Sequence, residues 1–227
     1  DHTIALMLAV GHRFRETQAR MIDGDFSILM GSDLFQKTVG IIGMGRIGRS
    51  VAQRLRGFDC RILVATSGDL PSDAPSNMER VDLDTLVRDS DYISIHAPLT
   101  DETRFMFDVA RIAQMKAGAY LINTARGGLV DDAALLTALK NGTIAGAGLD
   151  VFLSESDSSC QHITDELIRL PNVIATPHAA ASTHEGLART NMVAARCVVA
   201  VLDGKEPAPE CVVADGRKAQ AKPGETQ

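Results

Sequence analysis

The sequence predicts an α/β fold: a doubly wound parallel sheet with helices on both faces, of the Rossmann type. Three observations predict it. Short apolar runs rich in β-branched residues alternate along the chain with longer segments of helical periodicity. The first of these runs leads into Gly43-Met44-Gly45-Arg46-Ile47-Gly48, a G-x-G-x-x-G turn that opens a helix. Polar, chemically unusual residues follow strand after strand, where a sheet of this kind carries its ligands.

The elements follow in order. Residues 3–22 read as one apolar helix carrying Ile4, Leu6, Met7, Leu8 and Val10, and 23–35 as a loop with Gly24, Asp25, Gly31, Ser32 and Asp33. Strand one is 38–42, and its helix, 46–57, sets Ile47, Val51, Ala52 and Leu55 at helical spacing. Strand two is 61–65; the Ser-, Gly-, Pro- and Asp-rich stretch 66–77 is a surface loop. Then come a short helix 83–88, strand three at 92–96, a helix at 109–115 and strand four at 119–123. A helix over 131–141 opens on acids and closes at Asn141-Gly142. Small residues make strand five, 144–150; a polar loop 154–161 and a short helix 162–170 lead to strand six, 173–175. A long helix, 183–203, ends at Gly204, and the polar tail from Gly216 is expected to be disordered.

Composition excludes several classes. A chain of 227 residues with 45% hydrophobic and 23% charged residues is an ordinary globular composition. A net charge of −6 argues against nucleic acid as the main partner. No apolar run approaches the length of a membrane span. Cys60, Cys160, Cys197 and Cys211 have no C-x-x-C spacing, so they read as thiols of a cytoplasmic protein, with no metal site. The chain opens on Asp1, already inside an apolar helical pattern and without a charged leader, so further residues are expected upstream.

In the glycine turn, Gly43 permits a tight bend, Gly45 removes the side chain that would block a phosphate, and Gly48 lets helix pack close on strand. The helix N-terminus offers N–H groups and a positive dipole end to an anion. The other strand ends carry Thr66-Ser67, His96-Ala97-Pro98-Leu99-Thr100, Asn123-Thr124-Ala125-Arg126-Gly127, Asp150-Val151-Phe152 with Glu155 close behind, and Thr176-Pro177-His178.

With the opening His2-Thr3-Ile4-Ala5-Leu6-Met7-Leu8 and the glycine turn, these segments give the resemblance. In this order, over residues 1–205, the chain resembles the D-isomer-specific 2-hydroxyacid dehydrogenases, the group of phosphoglycerate dehydrogenase and the glyoxylate/hydroxypyruvate reductases. The resemblance implies an NAD- or NADP-dependent oxidoreductase that moves hydride between nicotinamide and C2 of a small D-2-hydroxy acid or 2-oxo acid. Such chemistry needs a cation for the carboxylate and a group that takes and returns the hydroxyl proton. Arg126 matches a carboxylate through two hydrogen bonds. His178, with a pKa in the physiological range, is the acid/base, and Glu155 orients it and favours its charged form. Here Ser156 stands where the family usually has proline, which loosens that loop.

For the cofactor, the resemblance assigns Gly43, Gly45, Arg46, Ile47 and Gly48 to the phosphates, Thr66 and Ser67 to the ribose, and His96, Ala97, Pro98 and Thr103 to the adenosine side. Thr124, Ala125, Asp150 and Ala180 complete the cofactor set, Asp150 through the nicotinamide carboxamide and Ala180 in a run of small residues that leaves room for a cofactor ring. Thr66 stands where NAD-using members usually place an acid. Yet 65–79 holds no Lys or Arg to attract a 2′-phosphate, and Asp69 and Asp73 would repel one. NAD is therefore expected and NADP stays open.

The resemblance further implies a dinucleotide-binding domain over 1–204, with 1–36 as a helix and arm that embrace a second subunit in a homodimer. It implies a remnant of a substrate domain at 205–215 and a tail at 216–227. Most of the substrate domain would precede Asp1, so slow turnover is expected of this chain alone. The alternative is a dinucleotide-binding regulator, as in the family's corepressor relatives. A formate or phosphite dehydrogenase is a third reading; formate dehydrogenases of this scaffold typically carry Gln at the position of Glu155.

Overall fold

A computed structural model describes residues 1–70 and 74–212. The chain divides into two compact units, Asp1–Ala180 and Ala181–Gln227, whereas the sequence reading draws one domain through 204.

The first unit is built on a seven-stranded sheet: β1 (Thr38–Ile42), β2 (Arg61–Ala65), β3 (Met78–Arg80), β4 (Tyr92–Ile95), β5 (Tyr120–Asn123), β6 (Gly146–Leu149) and β7 (Val173–Ala175). The order is β3-β2-β1-β4-β5-β6-β7 and every pairing is parallel. From β1 the chain steps outward to β2 and β3, then returns to β4 on β1's other side. The order reverses between β1 and β4, and that switch point is where a doubly wound sheet opens a crevice.

The helices are α1 (His2–Gly11), α2 (Phe14–Ile22), α3 (Arg46–Leu55), α4 (Leu83–Asp89), α5 (Val109–Ile112), α6 (Asp132–Lys140) and α7 (Gln161–Leu167). Alternate residues of each strand point to opposite faces, so the sheet has two cores. Ile62, Val64, Tyr92 and Ile122 join α1 and α3 through Leu6, Met7, Val51 and Leu55. Leu63, Ile93, Ile95 and Leu121 join α4 to α7 through Leu86, Ile112, Leu135 and Leu167. Burial on both faces is why the strands read as continuous apolar runs rather than alternating ones.

Two departures from the sequence reading change which elements the chain has. The helix expected over 3–22 is two helices, because Arg13 turns the chain with φ 55°. The break is a left-handed cap whose C′ position is usually glycine; here an arginine fills it and pairs with Glu16, so no glycine marks the break at that position. The loop expected over 66–77 runs into a short edge strand, β3, that the sequence reading left out. It is held by pairing with β2 at Ile62–Met78 through Val64–Arg80. Three residues, two of them exposed, give no hydrophobic period to read.

The second unit, described through 212, holds α8 (His184–Leu202), opened by the Thr183 hydroxyl accepting the Gly186 amide at 2.9 Å and ended by Gly204 at φ 70°. Residues 213–215 of the expected remnant and the tail 216–227 lie outside the described residues, as does Asp73. Among the described residues no helix is long and apolar enough to cross a membrane.

Candidate active site

Strand register builds the site. Ala65, Ile42, Ile95, Asn123, Leu149 and Ala175 pair successively across six strands. The residues that follow them (Thr66, Gly43, His96, Thr124, Asp150 and Thr176) therefore leave the sheet along one edge.

At the switch point Gly43 has φ +91°, and a Cβ there would lie 2.7 Å from the His96 carbonyl oxygen. Only glycine fits both demands. A Cβ on Gly48 would come within 2.1 Å of the Gly43 carbonyl oxygen, so α3 sits hard against the turn. Gly45 is the opposite case: no heavy atom lies within 4 Å of where its Cβ would be. Gly45 is also the N-cap of α3 and supplies no side-chain cap, which leaves first-turn N–H groups beside that open space. An open, side-chain-free helix N-terminus at a switch point fits a dinucleotide pyrophosphate. Arg46 and Ile47 are exposed on the first turn of α3.

After β5 the chain makes a tight turn that Asn123 holds from inside. Its Nδ2 donates to the Arg126 carbonyl at 2.9 Å and its Oδ1 accepts the Ala125 amide at 3.1 Å. The Arg126 side chain is exposed and donates to the Ala125 carbonyl at 2.6 Å; among the described residues no carboxylate pairs with it. Gly127 lies against the Phe152–Leu153 backbone, where a Cβ would come within 2.2 Å of Phe152. That contact seats the Arg126 turn on the segment that carries Glu155. Thr124 hydrogen-bonds Thr3 of α1, Oγ1 to Oγ1 at 2.9 Å.

Glu155 ends a 3-10 turn, Leu153–Glu155. One carboxylate oxygen, Oε1, accepts the Phe152 amide at 2.8 Å; the other, Oε2, lies 2.6 Å from His178 Nδ1. An ionised carboxylate only accepts, so Nδ1 carries the proton and Nε2 is left to exchange one. His178 sits at φ +54°, in the left-handed region that a non-glycine residue enters at a cost of about 1–2 kcal/mol. Asp150 holds it there. The Asp150 carbonyl accepts the His178 amide at 2.7 Å, and its fully buried carboxylate accepts Ala179 N–H, Ala180 N–H and the Thr176 hydroxyl at 2.8, 2.9 and 2.5 Å. His2 Nε2 reaches Thr176 Oγ1 at 2.9 Å.

The remaining candidates line the same edge. The His96 ring meets Ser94 Oγ at 2.8 Å, and burial pushes its pKa down to about 4, so it is neutral. Ala97 and Pro98 continue from it, and Thr103 closes their turn by donating to the Pro98 carbonyl at 2.7 Å. Thr66 is half-buried and Ser67 exposed at the end of β2. Asp69 pairs there with Arg80 of β3 at 3.5 Å, a cation the sequence reading did not place near this loop. The structure thus joins Glu155 to His178 directly and Arg126 to them through Gly127 and the Phe152–Leu153 backbone. Sequence reading missed Asn123, Thr176 and His2 as supports of the site. Asn123 had a signal, a polar residue ending an apolar strand; the other two act across 26 and 174 residues of sequence.

The sequence pattern described as D-isomer specific 2-hydroxyacid dehydrogenase, NAD binding domain, matches residues 4–180. A glyoxylate reductase of Thermofilum pendens is 43% identical over 216 residues, covering 91% of this chain and 62% of its own. A glyoxylate/hydroxypyruvate reductase B of Serratia proteamaculans is 43% identical over 192 residues, 82% of this chain and 58% of its own. This chain thus spans less than two thirds of the length of these relatives. Among solved structures, D-lactate dehydrogenase with NAD+ from Lactobacillus jensenii superposes with a TM-score of 0.85 at 32% identity, covering 94% of this chain and 67% of that one. The glycine turn at the switch point, the strand-end residues in one row and these matches lead to one conclusion: the chain belongs to the D-isomer-specific 2-hydroxyacid dehydrogenases and carries their NAD-binding domain.

Proposed function

We propose that the protein is an NAD-dependent oxidoreductase acting at C2 of a small D-2-hydroxy acid or 2-oxo acid, with Arg126, Glu155 and His178 as its reacting side chains. Bound NAD supplies the hydride chemistry. Arg126, exposed and without a carboxylate of its own among the described residues, takes the substrate carboxylate in two hydrogen bonds. His178 Nε2 gives the proton that turns the carbonyl oxygen into a hydroxyl, and takes it back in the reverse direction. Glu155 accepts Nδ1–H, fixes the tautomer and stabilises the imidazolium. The 2.6 Å His178–Glu155 pair, on a strained backbone braced by Asp150, is the observation that carries this reading.

Asp150 has a role besides the carboxamide contact that the family resemblance implies: its carboxylate already accepts three donors of its own chain. Thr66 and Ser67 face the ribose, and NAD is the proposed cofactor, with NADP run beside it in the test. The arm of each chain embraces a second copy: Phe14, Ile22, Phe26, Ile28 and Met30 are 56, 77, 76, 88 and 81% exposed, an apolar set that a homodimer would cover.

The test is reduction of glyoxylate, hydroxypyruvate and pyruvate with NADH and NADPH by the protein that carries this chain, as purified and as His178→Ala and Arg126→Ala. His178→Ala is expected to lower kcat by about 10²–10⁴ with the Kd for NADH nearly unchanged. Arg126→Ala is expected to lower kcat/KM for every acid. Turnover intact in His178→Ala overturns the assignment.

A further inference from the structure

Asp132 is a buried acid that the proposed chemistry leaves without a task. It is 3% exposed and stands at the first position of α6. Acids there usually serve the helix end, yet Asp131 already does so, its Oδ1 accepting the Ala133 and Ala134 amides at 3.0 and 3.1 Å. Asp132 turns away from its own helix instead. Its Oδ2 accepts the Leu153 amide at 2.9 Å, inside the protein and 21 residues away. Leu153 opens the 3-10 turn that Glu155 ends.

We propose that Asp132 is a positioning residue for the acid/base pair: by holding the Leu153 amide it fixes the turn from which Glu155 meets His178. This rests on the reading of Glu155 and His178 as that pair. The turn's other ties are mostly local: the Leu153 carbonyl accepts the Ser156 hydroxyl and the Ser156 and Asp157 amides at 3.1, 3.1 and 3.0 Å. Glu155 folds back on the Phe152 amide, the Thr164 hydroxyl of α7 donates to Ser154 Oγ at 2.8 Å, and the Asp132 bond enters from the side of the Arg126–Gly127 turn. Asp132 and Arg126 stand six positions apart on one continuous segment, and Gly127 of that segment presses on Phe152. One stretch of chain therefore presents the carboxylate-binding arginine and steadies the histidine's partner. Glu155 is also close enough to bear on Asp132: burial pushes the Asp132 carboxyl up to about 6, the Leu153 amide opposes this, and Asp131 and Glu155 add repulsion.

Two reporters separate positioning from general stability. The Phe152 amide donates to Glu155, so its hydrogen exchange reads the pose of Glu155; the ring N–H of His178, seen by proton NMR, reads the pair. Asp132→Asn keeps an acceptor for Leu153. Asp132→Leu matches the shape and cannot accept. The expected result on this chain is exchange of the Phe152 amide at least tenfold faster and loss of the ring N–H signal in Asp132→Leu, with the rest of the amide protection kept, and both restored in Asp132→Asn. Asp132→Ala serves in the same way where the leucine variant does not fold. A folded leucine or alanine variant that keeps both signals overturns the proposal, as does an asparagine variant that loses them. Glu155→Ala is the control: a ring N–H that survives it refutes the pair itself and with it the proposed function, whatever Asp132 does.

Discussion

A carboxyl raised to about 6 from an ordinary 3.8 makes folding depend on pH in a definite direction. Below about pH 4 Asp132 is protonated in the folded and unfolded chain alike and costs nothing. Between about pH 4 and 6 the folded state holds a proton that the unfolded state has lost, so stability falls as pH rises. Above that window the ionised, buried carboxylate costs on the order of 3 kcal/mol. Asp132→Asn does not titrate. Urea unfolding of the two chains is expected to give a stability difference that grows in favour of the asparagine variant from pH 4 to pH 6.5 and is flat beyond. Parallel stability–pH curves would rule the linkage out. His178 belongs to the same scale: its positive φ is sustained because the Asp150 carbonyl accepts its amide and the Asp150 carboxylate accepts the two amides that follow. A histidine after Thr-Pro can be picked out in a sequence, but the brace that bends its backbone cannot.

At the scale of the element, the glycine loop divides into positions that shape the protein and one, Gly45, that borders open space proposed for the cofactor. Gly48→Ala drives a Cβ into the Gly43 carbonyl, a backbone atom that cannot step aside. It is expected to cost about 1–3 kcal/mol or more. Gly45→Val meets open space and a φ of −72° that valine adopts freely, so the chain is expected to melt within a few degrees of the parent. Its affinity for NADH is expected to fall at least a hundredfold, because the side chain fills the space left for the phosphates. Paired thermal melts and NADH titrations check both, and tight NADH binding by Gly45→Val would remove the pyrophosphate from this turn. Three strands, β1, β2 and β7, have the bounds their apolar runs predict. The site turns were legible through motif and order. The α1–α2 break was not, since its left-handed residue is an arginine, nor was β3, since only pairing with β2 makes it a strand.

At the scale of the molecule, the exposed arm sets the expected assembly. Light scattering is expected to find a dimer for the parent chain and a monomer for Ile28→Asp combined with Met30→Asp, two residues that are 88 and 81% exposed and bear on no core. A parent that runs as a monomer at high concentration would refute the arm's role.

The sequence by itself determined the parallel α/β architecture, the glycine turn and the order of the residues proposed to react. Each of these is written locally, in the period of apolar residues, in the absence of a side chain, or in the residue after a strand. Only the tertiary structure decided that Asp150 serves His178, that Gly127 seats on Phe152 and that Asp132 reaches Leu153. Those partnerships join residues 21 to 28 positions apart through sheet register and turn packing. Such distances exist only once the chain has folded, because a hydrogen bond selects its partner by position in space and not by place along the chain.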